Sequence, residues 1–274
     1  MKIIVIGSKG MLGTDLVYEL KKNKSNIIVA LDINEVDITK EESLQKIVLE
    51  KADFVINCAA YTNVDLAETN KEKCFAINVT GVKNLVKTCK NMGSTLIHIS
   101  TDYVFDGKKE GYDELDKKNP INYYGLTKSL GEDELIKNTD KYYLVRTSWL
   151  FGKNGKNFIE IIKSISQNKS SIKVVTDQTA RPTYTIDLAK QIIYLIENKT
   201  PFGIYHITNS GKCSRFLFAK EIINLLKLNC VVEPCATNEF PSAAKRPTFS
   251  VLNNNKLPQL RKWEIALAEY LGVD

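Results

Sequence analysis

Met1-Lys2-Ile3-Ile4-Val5-Ile6-Gly7-Ser8-Lys9-Gly10-Met11-Leu12-Gly13 is the stretch that decides the fold. Residues 2–6 are a short β-branched run stopped by a glycine, and residues 11–20 carry Leu12, Leu16, Val17 and Leu20 in a helical rhythm. The order is therefore strand, glycine turn, helix. Within the turn the spacing is G-x-x-G-x-x-G. Gly7 permits the tight turn, Gly10 lets backbone approach a pyrophosphate, and Gly13 lets the helix pack closely on the strand. Free N–H groups and the positive end of the helix dipole then face the phosphates. A glycine triplet alone is a weak signal, but directly after a strand and opening a helix it reads as a dinucleotide-binding turn.

Further along, a second strand over 27–31 ends at Asp32, near the position where an acidic residue takes the adenosine ribose hydroxyls. An ordinary strand-end turn residue has an equal claim there. Asp37-Ile38-Thr39 has the look of a helix cap, with Thr39 leading Glu41 and Glu42. Residues 53–60 form a buried-strand pattern that turns polar at Asn57 and small at Ala59 and Ala60, leaving room for a ligand at the strand ends. Helical segments are expected around 65–69 and over 78–91, and a strand over 95–100 runs into Thr101-Asp102-Tyr103. A helix over 122–134, a strand over 142–147, then helix 157–166, strand 172–175, helix 184–196, strand 203–207 and helices 216–227 and 263–271 complete the reading. This alternation predicts an α/β chain: a Rossmann-type doubly wound parallel sheet with a smaller, interleaved C-terminal substrate-binding lobe. The dinucleotide-binding domain is placed at 1–150 plus roughly 171–205, and the lobe at 151–170 and 206–274.

On the 122–134 helix Tyr124 and Lys128 lie four residues apart, so both side chains leave one face about one turn apart. A phenol beside an ammonium is a proton donor, although the same spacing occurs in any amphipathic helix. In a doubly wound sheet the ends of neighbouring strands converge over the cofactor, which brings Thr101 toward Tyr124. Otherwise Ser100 and Thr101 only end a strand and start a turn.

Composition excludes several classes. With 274 residues, 43% hydrophobic and 26% charged, the chain buries a sizeable core and is not disordered. The net charge of +6 comes from lysines scattered without blocks, a solvated basic surface with no nucleic-acid-binding signature. Cys58, Cys74, Cys89, Cys213, Cys230 and Cys235 show no Cys-x-x-Cys pair and no histidine at zinc-ligand spacing, so they read as reduced, mostly buried thiols, and no metal site is expected. His98 and His206 each sit in an apolar strand and read as packed, hydrogen-bonded residues. The opening apolar run is too short for a signal or a membrane span, so a cytoplasmic enzyme is the expectation.

The chain resembles the dTDP-4-dehydrorhamnose reductases, a branch of the extended short-chain dehydrogenase/reductases. The blocks that carry the resemblance start with the 7–13 turn, Asn57-Cys58-Ala59-Ala60-Tyr61-Thr62-x-Val64-Asp65-x-Ala67-Glu68 and Ser100-Thr101-Asp102-Tyr103-Val104-Phe105-x-Gly107. They continue with Tyr124-Gly125-x-Thr127-Lys128, Arg146-Thr147-Ser148-Trp149, Gly155-x-Asn157-Phe158, Asp177-Gln178, Arg181-Pro182-Thr183, Asp187-Leu188-Ala189, Gly203-Ile204-Tyr205-His206 and Lys245-Arg246-Pro247, spanning nearly the whole chain. The resemblance implies NAD(P)H-dependent reduction of the C4 ketone of dTDP-4-dehydro-L-rhamnose. It implies a cofactor site of Gly7, Gly10, Met11, Leu12, Gly13, Asp32, Asp37, Ile38, Ala59, Ala60, Tyr61, Tyr124 and Lys128. Met11 stands where many members have Gln, at a place where backbone makes the phosphate contacts.

Asp32 would repel a 2′-phosphate, which leans the cofactor toward NADH over NADPH. In the chemistry implied, Tyr124 donates the proton, Thr101 hydrogen-bonds the same oxygen, and Lys128 holds the nicotinamide ribose and eases loss of the phenolic proton. Lowering a tyrosine from roughly 10 by about two units takes on the order of 3 kcal/mol of interaction with cations. Toward the dTDP-linked keto sugar, Thr62, Thr101, Tyr103, Tyr124 and Trp149 are placed near the hexose, and Asn157, Arg181 and Arg246 near the nucleotide or diphosphate. Trp149 as a core anchor and Arg246 as a surface loop residue are equally open. Some relatives are metal-bridged dimers; a homodimer is left open here without the metal. The alternatives are a reductase of another nucleotide-linked keto-deoxysugar, or a non-catalytic dinucleotide-binding subunit like the regulatory one of methionine adenosyltransferase.

Overall fold

The first strand, β1 (Lys2–Ile6), is apolar on both faces and buried from Ile3 onward, as a strand must be when helices cover both sides of a parallel sheet. In the computed structural model, which describes residues 1–273, it sits inside a six-stranded sheet. The other strands are β2 (Ile27–Leu31), β3 (Phe54–Asn57), β4 (Thr95–Thr101), β5 (Tyr142–Thr147) and β10 (Gly203–His206), in the order β10-β5-β4-β3-β1-β2. Every neighbour pair is parallel. The chain leaves β1 to one side for β2 and returns on the other side for β3, so a crevice opens between the ends of β1 and β3, where Ile6 lies opposite Asn57.

Side chains alternate across that sheet and build two cores. Ile3 and Val5 pack with Leu12, Leu16 and Leu20 of α1 (Met11–Lys21) and with Leu188, Ile192 and Leu195 of α8 (Thr185–Glu197). On the other face Ile4 and Ile6 meet Ile47 of α2 (Gln45–Glu50), Val82, Leu85 and Val86 of α5 (Gly81–Met92) and Leu135 of α6 (Tyr123–Asn138). Two short helices, α3 (Val64–Ala67) and α4 (Lys71–Phe75), precede α5, and a π turn over Ala76–Thr80 joins α4 to α5. The helix expected from 78 therefore begins at 71 and carries one wide turn.

A third cluster forms the smaller lobe. It gathers Phe151 of β6 (Leu150–Phe151), Ile159 and Ile162 of α7 (Phe158–Ser166), Ile172 and Val174 of β7 (Ser171–Val175), and Tyr184 of β9 (Thr183–Tyr184). Phe218 and Ile222 of α9 (Arg215–Leu225) and Trp263 of α10 (Trp263–Leu271) complete it. Three further findings differ from the sequence reading. Residues 171–184 pack in this cluster and not on the main sheet, because β7 pairs with β12 (Val231–Cys235), while β8 (Thr179–Ala180) pairs with β11 (Cys213–Ser214). The strand β12 escapes detection because Pro234 interrupts it, which local pattern reads as non-strand. Asp37-Ile38-Thr39 caps no helix: Asp37 Oδ1 accepts hydrogen bonds from the Thr39 N–H and hydroxyl, and the 3-10 turn Glu41–Leu44 starts only after Lys40. All six cysteines are free thiols, and only Cys58 is not fully buried. Among the described residues no helix is long and apolar enough to cross a membrane.

What fixes α6 on the sheet is a buried ion pair. Arg146 in β5 forks onto Glu132 of α6, with Nε 2.9 Å from Oε1 and Nη2 2.7 Å from Oε2. Ser100 donates to the same carboxylate at 2.5 Å and Lys118 approaches at 3.4 Å. Burial by itself would raise the Glu132 carboxyl, but Arg146, Lys118 and Ser100 outweigh it and hold it below its usual range. A depressed carboxyl contributes stability that is present above the ordinary glutamate range and is lost as pH falls through the lowered value. Glu132→Gln leaves the Arg146 charge buried and uncompensated, so urea unfolding at pH 7 should show a loss of about 3–5 kcal/mol. It should also show a shallower fall of stability with acidification than the parent.

Candidate active site

The glycine turn has the shape that a phosphate cradle requires. Gly7 takes φ +73°, and a Cβ there would stand 2.8 Å from the Ala59 nitrogen, while a Cβ on Gly13 would run into the Gly7 carbonyl. No side chain caps α1 and its first turn holds no acidic residue, so the positive helix end is open to an anion. Beside it lies a cavity of about 420 Å³ lined by Gly7, Gly10, Asp32, Asp37, Ile38, Ala59 and Ala60, all expected, and also by Lys9, Ile33, Val36, Thr39, Cys58 and Ile77. The apolar members suit a flat base. One of them, Ile33, is a large hydrophobic residue left 65% exposed, a signal invisible without the fold. The donor set, glycine backbone plus a carboxylate over an apolar slot, fits a dinucleotide.

At the cavity rim Asp32 accepts hydrogen bonds from the Lys9 and Ile33 N–H groups, both at 2.8 Å. The Lys9 ammonium is drawn to Glu35 at 3.3 Å. Tyr61 is held through its backbone, its N–H donating to Asn78 Oδ1 at 2.9 Å, and Asn78 Nδ2 in turn reaches the Thr127 hydroxyl on α6 at 3.1 Å. Asn78 thereby ties the loop after β3 to the helix that carries Tyr124, a role its place within a helical pattern did not disclose.

That helix starts at Asn122, whose Oδ1 accepts the Gly125 N–H at 2.7 Å. The cap sets Tyr124 in the first turn, with its ring edge-on to Tyr103 at 5.9 Å. Burial raises the Tyr124 phenol well above its ordinary value, and the Thr101 hydroxyl beside it draws the other way. Lys128 is 2% exposed and its Nζ donates to the Ile99 carbonyl at 2.7 Å. Burial pushes Lys128 down to about 8, against the pull of the Glu132 carboxylate. The expected easing of the phenol by the ammonium is thus not what this arrangement displays. Desolvation governs both groups, and Tyr124 is held as the neutral phenol, the form a proton donor needs.

Next to Thr101, Asp102 is a carboxyl that the sequence reading passed over. It is 2% exposed, its Oδ1 accepts the Thr101 hydroxyl at 3.0 Å, and its Oδ2 is buried without a partner. Burial pushes it up to about 6, against the hydrogen bond from Thr101.

On the sugar-nucleotide side the expected residues divide. Arg246 is a brace: its Nη1 and Nη2 fork onto Asp65 at 2.7 and 2.6 Å, and Nη1 also donates to the Ala244 carbonyl. Asn157 caps α7 through Oδ1 and donates from Nδ2 to the Gly152 carbonyl and the Tyr270 hydroxyl, so its amide is fully occupied inside the lobe. Arg181 is the opposite case, with a buried Nε lacking any partner. Thr62 is exposed. Trp149 is a core anchor, its ring stacked near Phe218 in the lobe, and its backbone takes φ +44°, a strained value for a bulky residue. Arg215 was missed. Its guanidinium lies 3.6 Å over the Trp149 ring and 4.8 Å over Phe158. A cation at the first residue of a helix, where the dipole disfavours it, was the available signal.

Comparison with known proteins agrees with this geometry over the full length. Residues 1–273 match the family described as RmlD substrate binding domain. The chain belongs to that family. It is 40% identical to a dTDP-4-dehydrorhamnose reductase of Clostridium acetobutylicum ATCC 824, whose structure covers 99% of both chains with a TM-score of 0.96. A dTDP-4-dehydrorhamnose reductase of Bacillus anthracis str. Ames, solved in complex with NADP, is 38% identical with 98% of both chains covered and a TM-score of 0.94. The spore coat polysaccharide biosynthesis protein SpsK of Bacillus subtilis is 36% identical over 98% of this chain and 96% of its own. The overall fold is thus shared with both solved reductases.

The Asp102 carboxyl makes a pH-dependent demand on the fold. A carboxyl raised in the folded state opposes folding once it ionises, so this cost is absent at low pH and grows as pH rises through about 6. Comparing urea unfolding of Asp102→Asn with the parent, the variant should fare better at pH 8 than at pH 5, by about 1–2 kcal/mol between the two conditions.

Proposed function

We propose that this protein reduces the C4 ketone of dTDP-4-dehydro-L-rhamnose to dTDP-L-rhamnose with a nicotinamide dinucleotide. The observation that carries the chemistry is the half-buried Tyr124 phenol beside the Thr101 hydroxyl at the end of β4, the strand next to β3, whose end opens on the dinucleotide cavity. The cofactor, when bound, supplies the hydride. Negative charge then builds on the carbonyl oxygen, where Tyr124 delivers its proton and the Thr101 hydroxyl, turned from Asp102 Oδ1, donates a hydrogen bond. Lys128 holds the nicotinamide ribose through its N–H donors. The 7–13 turn binds the pyrophosphate by backbone, and Asp32 takes the adenosine ribose hydroxyls. Burial of Lys128 strengthens the contact it makes.

Arg181 is assigned to the diphosphate. A buried guanidinium nitrogen without an acceptor is costly, and an anionic ligand removes that cost. NADH is the proposed preference over NADPH: the Asp32 carboxylate repels a 2′-phosphate, and Glu35 holds the Lys9 ammonium.

Following cofactor oxidation with the purified sugar nucleotide tests the reading. Consumption of dTDP-4-dehydro-L-rhamnose with a higher kcat/KM for NADH is expected. Turnover only with a different dTDP-linked 4-keto-6-deoxyhexose would replace the substrate, and no turnover with any keto sugar would make this a dinucleotide-binding protein. Tyr124→Phe should lower kcat by ~10²-fold or more with unchanged NADH affinity, and near-normal turnover would remove Tyr124 from the mechanism. Arg181→Ala should raise KM for the sugar nucleotide by about 10-fold or more while altering kcat little.

A further inference from the structure

Behind the cofactor cavity two buried polar side chains that the reaction as described does not use, Asn57 at the end of β3 and His98 within β4, run in line to Lys128 on α6. Asn57 Nδ2 lies 3.1 Å from His98 Nδ1, and His98 Nε2 lies 3.4 Å from Lys128 Nζ. His98 is wholly buried, and burial holds its ring neutral. The direction of the bonds along this line is settled by its outer end. The Ala59 N–H donates to Asn57 Oδ1 at 3.1 Å, which leaves Nδ2 as the atom facing the ring. An amide nitrogen can only donate, so His98 Nδ1 accepts and the ring proton sits on Nε2.

That proton points at Lys128. A free amine suits this position, since it donates to the Ile99 carbonyl at 2.7 Å and accepts from Nε2–H, whereas an ammonium sets N–H against N–H. The other groups facing Lys128 do little to restore the charge. Cys58 after β3 and Cys74 on α4 are thiols that burial pushes up, and Tyr124, one turn earlier on α6, is neutral. Glu132, one turn later, favours the ammonium, but its carboxylate is already shared among Arg146, Ser100 and Lys118.

We propose that Asn57 and His98 set the proton affinity of Lys128: Asn57 fixes His98 as the Nε2–H tautomer, and that N–H favours the free amine. Lys128 then exchanges its proton within the working pH range and is not a permanent cation beside the phenol and the ribose. His98 is a positioning residue in this scheme. Its consequence for catalysis rests on the reductase reading above, but the tautomer and the lysine titration do not.

The chain has only two histidines, which makes the test direct. His206 Nδ1 faces the Asn253 carbonyl at 3.1 Å and its Nε2 faces Arg146, so it carries its proton on Nδ1. Nitrogen NMR of histidine-labelled protein should therefore show one ring in each neutral tautomer. The Nε2–H ring should report a titration with a midpoint near 8, from Lys128. In Asn57→Asp, whose carboxylate accepts a proton from Nδ1, the His98 tautomer should reverse and the midpoint rise by one unit or more, with the alkaline limb of kcat/KM following it. Two Nδ1–H rings in the parent protein, a midpoint at the ordinary lysine value near 10.4, or an unmoved midpoint in Asn57→Asp would each overturn the proposal. The parent spectra need neither the variant nor turnover, so a misfolded variant or an inactive enzyme leaves them decisive.

Discussion

The Glu132–Arg146 pair is the interaction on which the site depends. Glu132 lies one turn beyond Lys128 and two beyond Tyr124 on α6, so its fork with Arg146 in β5 fixes the rotation of the helix and with it the direction of both side chains. Ser100, immediately before Thr101, donates to the same carboxylate. The anchor therefore sets the strand end and the helix in one register. A buried pair of this kind contributes little net stability against an apolar alternative, because both charges lose their hydration. What it supplies here is a single geometry.

Around that anchor burial drives the ionisable groups toward their neutral forms. Tyr124 and Asp102 are raised and Lys128 is lowered, each chiefly by desolvation. A dry site of this kind magnifies any charge that develops during hydride transfer, so a few hydrogen-bond donors suffice to stabilise it. The buried Oδ2 of Asp102 and Nε of Arg181, both without partners, fit the same picture, since unpaired polar atoms of this sort gather at binding sites.

The lobe is joined to the sheet domain by a few specific bonds. Arg246 reaches Asp65 on α3, and Asn122, the cap of α6, donates to the Lys245 carbonyl at 2.8 Å. The lobe is thereby fastened at the point where α6 begins. Trp149, in its strained conformation under the Arg215 guanidinium, sits where the main sheet hands the chain over to the lobe.

From the sequence alone the order of strands and helices, the phosphate turn and the placing of Tyr124, Lys128 and Thr101 on their elements were legible. Each is written in local periodicity: β-branched runs, apolar residues at helical spacing, a glycine triplet between them. The tertiary structure alone decided that residues 171–184 belong to the lobe, that Asn157 is a cap and Arg246 a brace, and that His98 touches Lys128. These facts rest on partners far away in the chain, such as Asp65 for Arg246, or on burial, and neither leaves a local pattern. The glycine turn could be read as a phosphate site because backbone geometry is encoded where it occurs. The protonation of Tyr124 and Lys128 could not, because desolvation is a property of everything packed around them.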